Sequence, residues 1–175
     1  MPTSNLNKIR VSIITGDRLV NMDTRLFEFI VYKNFSHLIR NDNKFNHTKK
    51  EIQRLCFSDS SFVIVAISDG NIVGYILGEV IYLKKYNPLD TRTVCYVTYI
   101  YTVDDYRAKG IGTLLLDILQ KYNLENRHKG IMLTYDTSNK SLVKFYNKNN
   151  FSRDVFMSTG NRWDVYFRTS ITSRN

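Results

Sequence analysis

The segment Ile100-Tyr101-Thr102-Val103-Asp104-Asp105-Tyr106-Arg107-Ala108-Lys109-Gly110-Ile111-Gly112 decides how this chain is read. It begins at the end of a β-rich run, residues 94–102, and leads into residues 110–127, where Leu115, Ile118, Leu119 and Tyr122 recur at helical spacing. A strand, a glycine-bearing turn and a helix therefore follow one another. The first turn of a helix offers backbone N–H groups without intrahelical partners, and the helix dipole adds partial positive charge there, so such a junction suits a diphosphate. Gly110 and Gly112 let an anion approach the backbone, and Arg107 and Lys109 add full charges beside it. The plainer alternative is that the glycines ease a tight turn and the two cations are solvated.

Outward from this junction the pattern alternates. Downstream, residues 130–135 read as a strand, residues 138–147 carry Leu142, Phe145 and Tyr146 on a helical face, and residues 151–156 and 163–169 read as two final strands. Upstream, residues 62–68 and 72–81 are strand-like on either side of Asp69-Gly70-Asn71, which predicts a hairpin. Val11 and Ile13 alternate with polar neighbours through residues 10–15, a first strand stopped by Gly16-Asp17. Leu19, Met22, Leu26, Phe29 and Ile30 predict a helix to residue 32, followed by a polar loop or broken helix over residues 33–47. Thr48 precedes Glu51 at capping-box spacing, so a short helix is expected over residues 49–57. The sum is a mixed α/β domain of roughly seven strands. No repeat or linker divides it and only Pro2 and Pro88 interrupt it, so residues 1–175 are expected to form one domain.

The net charge of +9 favours anionic ligands by long-range attraction. The basic residues are scattered, with no dense tract, zinc spacing or ribonucleoprotein-type aromatic motif, so nucleic acid is not the favoured partner. His37, His47 and His128 have no ligand-like spacing to one another or to Cys56 and Cys95, and no metal is expected. Both cysteines sit in apolar stretches and are expected as buried free thiols. Residues 1–10 contain no apolar run of the kind a secretory signal or membrane anchor needs, which points to the cytosol or nucleus and away from the membrane.

The segment from Ile100 to Gly112 closely resembles the coenzyme-binding segment of the GNAT superfamily of N-acetyltransferases. The family signature Arg/Gln-x-x-Gly-x-Gly/Ala is matched at Arg107, Gly110 and Gly112, and Asn139, Phe145, Tyr146 and Phe151 resemble its downstream Asn-x-x-Ala-x-x-Phe-Tyr-x-x-x-Gly-Phe pattern. Three positions depart from the family: Asp104 stands where Pro is frequent, Leu142 where Ala is usual, and Asn150 in place of the Gly before Phe151. Asn is the residue that best tolerates a left-handed backbone after Gly, so Asn150 can serve the same turn. The resemblance implies a GNAT-like mixed, mainly antiparallel central sheet of about seven strands flanked by about four helices. It also implies acetyl-CoA as co-substrate, an amine acceptor, and a monomer or homodimer.

On this resemblance, coenzyme contacts fall to Ile100, Tyr101, Thr102, Arg107, Ala108, Lys109, Gly110, Ile111, Gly112, Thr113, Asn139 and Tyr146. The strand ending at Thr102 would splay from the strand beginning near Ile131, the pantetheine arm entering between them, with the Ile100 amide polarising the thioester carbonyl. Tyr146 takes the general-acid role toward the departing thiolate, unless it is simply a core tyrosine. Asn139 contacts pantetheine or caps a helix. The base is open: residues 94–102 contain no carboxylate, leaving Tyr96 and Thr98 inward, Glu79 on the neighbouring hairpin strand acting through water, and Asp136 as a further candidate. The plainer reading of Glu79 is an exposed strand-end carboxylate. A domain that binds acyl-CoA without turnover is the rival reading. Acceptor contacts would come from residues 33–47, 82–93 and 152–162.

Overall fold

A computed structural model of the chain describes residues 8–15, 24–29, 54–55, 58–83, 92–154 and 163–169. In chain order they form β1 (Ile9–Thr15), α1 (Thr24–Glu28), β2 (Ser61–Ser68), β3 (Asn71–Leu83), β4 (Arg92–Thr102), α2 (Ile111–Glu125), β5 (Gly130–Asp136), α3 (Lys140–Lys148), β6 (Ser152–Arg153) and β7 (Trp163–Thr169). A single 3-10 turn, Asp104–Tyr106, joins β4 to α2. The strands lie in the order β1-β2-β3-β4-β5-β7-β6, and every pairing is antiparallel except β4 with β5. The mixed, mainly antiparallel α/β architecture expected from the sequence is the one observed.

The elements follow their local chemistry. Asp69 (φ +48°) and Gly70 (φ +78°) both adopt the left-handed backbone that a two-residue hairpin turn requires, and β2 and β3 pair on either side of them. β2 is buried on both faces except at Ile67, which is why its sequence is a continuous apolar run with little alternation. Its Phe62, Ile64 and Ala66 join α2 residues Ile111, Leu115, Leu116 and Leu119 in one core, together with Tyr146 of α3. Its Val63 and Val65 join Tyr75, Leu77 and α1 residue Leu26 in a second core on the opposite face. Helices thus cover both sides of the sheet.

Two departures from the sequence expectations are matters of extent. The helix expected over residues 19–32 is described only as α1, and the one over 49–57 only at residues 54–55; the rest of both spans lies outside the described residues. The strand expected over 151–156 is confined to Ser152–Arg153 among the described residues. Cys95 is a buried free thiol, as expected, and Cys56 lies outside the described residues. No described helix is long and apolar enough to cross a membrane.

One irregularity positions the site. Leu77 of β3 pairs with Tyr99 of β4 while the next residue, Gly78, pairs with Val97, so Thr98 is an extra residue that bulges β4. The ladder between β4 and β5 runs only from Cys95–Ile131 to Val97–Leu133 and stops at that bulge. From Thr98 onward β4 keeps β3 as a neighbour and leaves β5.

Candidate active site

Where β4 leaves β5, the chain turns into α2. Arg107 is extended, Ala108 adopts a left-handed backbone (φ +58°), and Gly110 (φ +86°) is the N-cap of α2. Glycine meets that conformation without a Cβ penalty. It also leaves the helix end open, because no side chain caps α2 and its first turn contains no acid. The first intrahelical bond is Leu114 N to Gly110 O at 2.9 Å, so the N–H groups of the preceding turn keep their donors for an external partner.

These donors face a cavity of about 660 Å³. Ile100, Tyr101 and Thr102 of β4 form one wall, and Tyr106, Arg107, Ala108, Gly110, Ile111, Gly112 and Thr113 form the floor. Asn139, Ser141, Leu142, Phe145, Tyr146 and Lys148 supply the wall from α3. No Asp or Glu is among the described lining residues, which suits an anion. Every residue expected to contact the coenzyme lines this cavity except Lys109, whose Nζ instead lies 5.1 Å from the centre of the Tyr106 ring.

Several of these residues also make contacts within the fold. A Cβ on Gly112 would lie 2.9 Å from Phe145 Cζ, so its missing side chain serves the close packing of α2 on α3. Arg107 is folded back along the chain: Nε donates to Thr102 O at 3.2 Å, and Nη2 pairs with Asp104 Oδ1 at 2.8 Å. Asn139 is the N-cap of α3, its Oδ1 accepting from Leu142 N at 3.2 Å and from Ser141 Oγ at 2.7 Å. Asn139 thus caps α3 with its oxygen and also lines the cavity. Asn150 has φ +63° and ends the turn after α3, as its tolerance of that conformation implied.

Tyr146 is only 5% exposed, packed edge-on against Phe151, Phe145 and Tyr135 with ring centres 5.6, 5.2 and 6.4 Å away. Removal from water pushes its phenol up to about 12, so it stays protonated at neutral pH. Glu79 lies elsewhere. On β3 it follows Gly78 and shares the face of Leu77, the α1 side of the sheet, while Tyr146 lies on the α2 side. It stands opposite Tyr96 in the register and is not among the residues lining the cavity. Tyr96 Oη is 3.2 Å from Thr134 Oγ1, a hydroxyl pair that bridges β4 and β5 near the end of their ladder. Asp136 is engaged in a turn, its Oδ1 accepting from Ser138 N at 2.9 Å and Ser138 Oγ at 2.6 Å. A second cavity, of about 980 Å³, opens on the α1 side near Gly70, where Arg25 and Glu28 bring charges of both signs. It shares no lining residue with the cavity at the open helix end.

Residues 31–151 match the Acetyltransferase (GNAT) family. The chain belongs to that family. The match spans the bulged β4, the open turn and α3, the three walls of the cavity just described. This GNAT chain is 24% identical over 174 residues to N-alpha-acetyltransferase 60 of Danio rerio, a match covering 90% of this chain and 65% of that protein. It thus spans just under two thirds of that relative's length. In fold it is similar to Ard1 from Thermoplasma volcanium (TM-score 0.63, 20% identity, 92% of this chain and 98% of that one). It is also similar to Arabidopsis thaliana NAA60 in complex with acetyl-CoA (TM-score 0.61, 17% identity, 91% and 96%).

Sequence reasoning did not single out Tyr106, Ser141, Leu142, Phe145 and Lys148 as lining residues of the GNAT cavity. For α3 the signal was available, because Ser141, Leu142, Phe145 and Lys148 follow one another at helical spacing along one face. Thr134 had no such signal, since its partner Tyr96 is 38 residues away in sequence.

Proposed function

We propose that this chain transfers the acetyl group of acetyl-CoA to an amine in a ternary complex, with a peptide α-amine as the acceptor class. The observation that carries this is the uncapped N-terminus of α2, which opens into a cavity without acidic lining beside the strand edge that β5 has left. These features fit the coenzyme. Free amides and a positive helix end match its diphosphate, and the unpaired edge of β4 matches the amide groups of its pantetheine arm. Ile100, Tyr101, Thr102, Arg107, Ala108, the residues from Gly110 to Thr113, Asn139 and Tyr146 would hold it. When bound, acetyl-CoA supplies the activated thioester carbonyl.

The chain's own groups then divide the work. The Ile100 amide is the candidate donor where negative charge develops on oxygen. Tyr146 keeps its proton, because its phenol lies above the ordinary thiol range by about three units; it therefore stabilises the leaving thiolate as a hydrogen-bond donor. β4 contains no carboxylate, so the amine's proton leaves through water held near the Tyr96–Thr134 hydroxyl pair, with Glu79 on the same face of the sheet as its eventual acceptor. The peptide α-amine is favoured over other acceptors by the name of the zebrafish relative, N-alpha-acetyltransferase 60. The same reading retains the complement of about seven strands and four helices, a single domain, a cytosolic or nuclear location, and a monomer or homodimer.

The test is a mass-shift assay with acetyl-CoA and three acceptors: a peptide with a free α-amine, the same peptide blocked there but carrying lysine, and a small diamine. Acetylation of the first alone supports the full proposal, and acetylation of another acceptor keeps the activity and replaces the substrate class. The missing carboxylate on β4 favours one alternative, an acyl-CoA-binding domain without turnover. Saturable binding with no product from any acceptor would select it, and absence of coenzyme binding rejects both.

A further inference from the structure

The electrostatics of the cavity do not match the positions of the charges that the turn motif advertises. Lys109 does not line it and lies over the Tyr106 ring. Arg107 lines it, but its guanidinium already serves Thr102 O and Asp104 Oδ1 and lies 6.0 Å from the centre of the Tyr101 ring. One cationic residue remains. Lys148, in the last turn of α3, lines the cavity, is exposed, and has no acidic partner among the described residues. Arg107 and Lys148 are the only Lys or Arg among the described lining residues, and Arg107 has Asp104 to neutralise it.

Placement and field both favour Lys148. Phe145 comes within contact of Gly112 in the first turn of α2, and Lys148 follows Phe145 by three residues, one helical turn further along the same face. It therefore stands across the cavity from the free amides. α3 carries Lys140, Lys144 and Lys148 at intervals of four and no acid, so positive potential runs along the helix toward this residue.

We infer that Lys148, rather than Lys109 or Arg107, is the cation that holds a phosphate of the coenzyme opposite the amides of α2. The inference rests on the coenzyme reading given above and adds a residue to it. The shared chemistry is a phosphate oxyanion meeting an ammonium, either the diphosphate or the 3′-phosphate of the ribose.

Dissociation constants measured by calorimetry for the full chain, with coenzyme A and with 3′-dephospho-coenzyme A, test it. Lys148→Met, which keeps the aliphatic stem, should weaken coenzyme A binding on the order of five- to tenfold at low salt, with a smaller effect at high salt as the charge is screened. Lys148→Arg should bind within about twofold of the wild type, and so should Lys109→Met. The exposed position predicts an unchanged melting temperature for all three variants, which separates a ligand contact from a structural role. If the loss in Lys148→Met disappears with the dephospho compound, the 3′-phosphate is the partner; if it persists, the diphosphate is. Wild-type affinity for coenzyme A in Lys148→Met, or a larger loss in Lys109→Met, overturns the assignment while leaving the coenzyme reading intact. A wild-type chain that binds neither compound overturns both.

Discussion

Strand β4 has two edges that fare differently. Along one, Arg92–Thr102 pairs with β3 from Leu83 to Gly74; along the other, only Cys95–Val97 pairs with β5. An unpaired strand edge is ordinarily a hazard, because its N–H and C=O groups template unwanted pairing. Here the free stretch begins at the Thr98 bulge and ends at a cavity covered by α2 and α3. The closed edge contributes stability, and the open edge is the one assigned to the coenzyme in the proposed function. A sheet can therefore hold an amide-bearing ligand along a strand whose other side remains fully zipped.

The two regions each contain a buried acid, and alkali should distinguish them. Cys95 lies in the doubly paired stretch and its thiol is pushed up to about 12 by burial, from an ordinary 9.0. Tyr146 lies on the open side, also raised to about 12, from 10.0. In both cases the folded chain keeps a proton that the unfolded chain loses, so stability is complete below pH 9 and falls as pH rises toward 12. Each group contributes a slope of roughly 1.4 kcal/mol per pH unit within its window, which sums to ~4 kcal/mol for Cys95. Urea midpoints between pH 8 and 11 should show the fall. Cys95→Val should remove the part that begins near pH 9 and leave the part that begins near pH 10; an unchanged profile would mean that the closed stretch admits water.

The next largest effect tests the closed edge by itself. A Cβ on Gly78 would collide with Tyr96 O and sit 2.6 Å from Phe62 Cζ. The first of these contacts is backbone held by the ladder, which cannot yield without opening β3 from β4. Gly78→Ala should cost about 3 kcal/mol of stability, read as a fall in the denaturant midpoint at constant slope. A loss near zero would show that the bulge at Thr98 absorbs the methyl group.

The open side was the more legible of the two in the sequence. Gly110 and Asn150 announce themselves because few residues accept a left-handed backbone, and both adopt it, as the Asp69-Gly70 turn does on the closed side. The α2 and β2 patterns are equally direct, since a helix covered on one face and a strand covered on both must show different periods. What the sequence could not show is side-chain direction after a turn. Arg107 and Lys109 read alike in the motif, yet one folds back onto Asp104 and the other onto Tyr106. Pairings distant in sequence, such as Tyr96 with Thr134, leave no local trace at all. Glu79 illustrates the same limit, because a single extra residue at Thr98 alters which β4 side chains share its face.

Chemistry at the open side should fail more gently than the fold at the closed side. Tyr146→Phe keeps the ring packing against Phe145 and Phe151 and removes only the donor hydroxyl. A turnover loss of roughly ten- to a hundredfold is expected with little change in the KM for acetyl-CoA, equivalent to about 1.4–2.7 kcal/mol of barrier. An equal loss in kcat and in coenzyme affinity would instead make the phenol a binding group.

The smallest effect separates two functions of one side chain. Asn139 caps α3 through Oδ1 while lining the cavity, so Asn139→Ala should cost about 1 kcal/mol of stability from the lost cap. Asn139→Ser restores an oxygen that can accept from the Leu142 amide but offers no amide nitrogen to the cavity. If coenzyme affinity recovers along with stability in the serine variant, Asn139 acts only by ordering α3 and, through it, the positions of Tyr146 and Lys148. If stability recovers and affinity does not, the amide nitrogen touches the ligand itself. That outcome would extend the open edge of β4 across the cavity to a second hydrogen-bonding wall, built by the N-cap of a helix that the strand never touches in sequence.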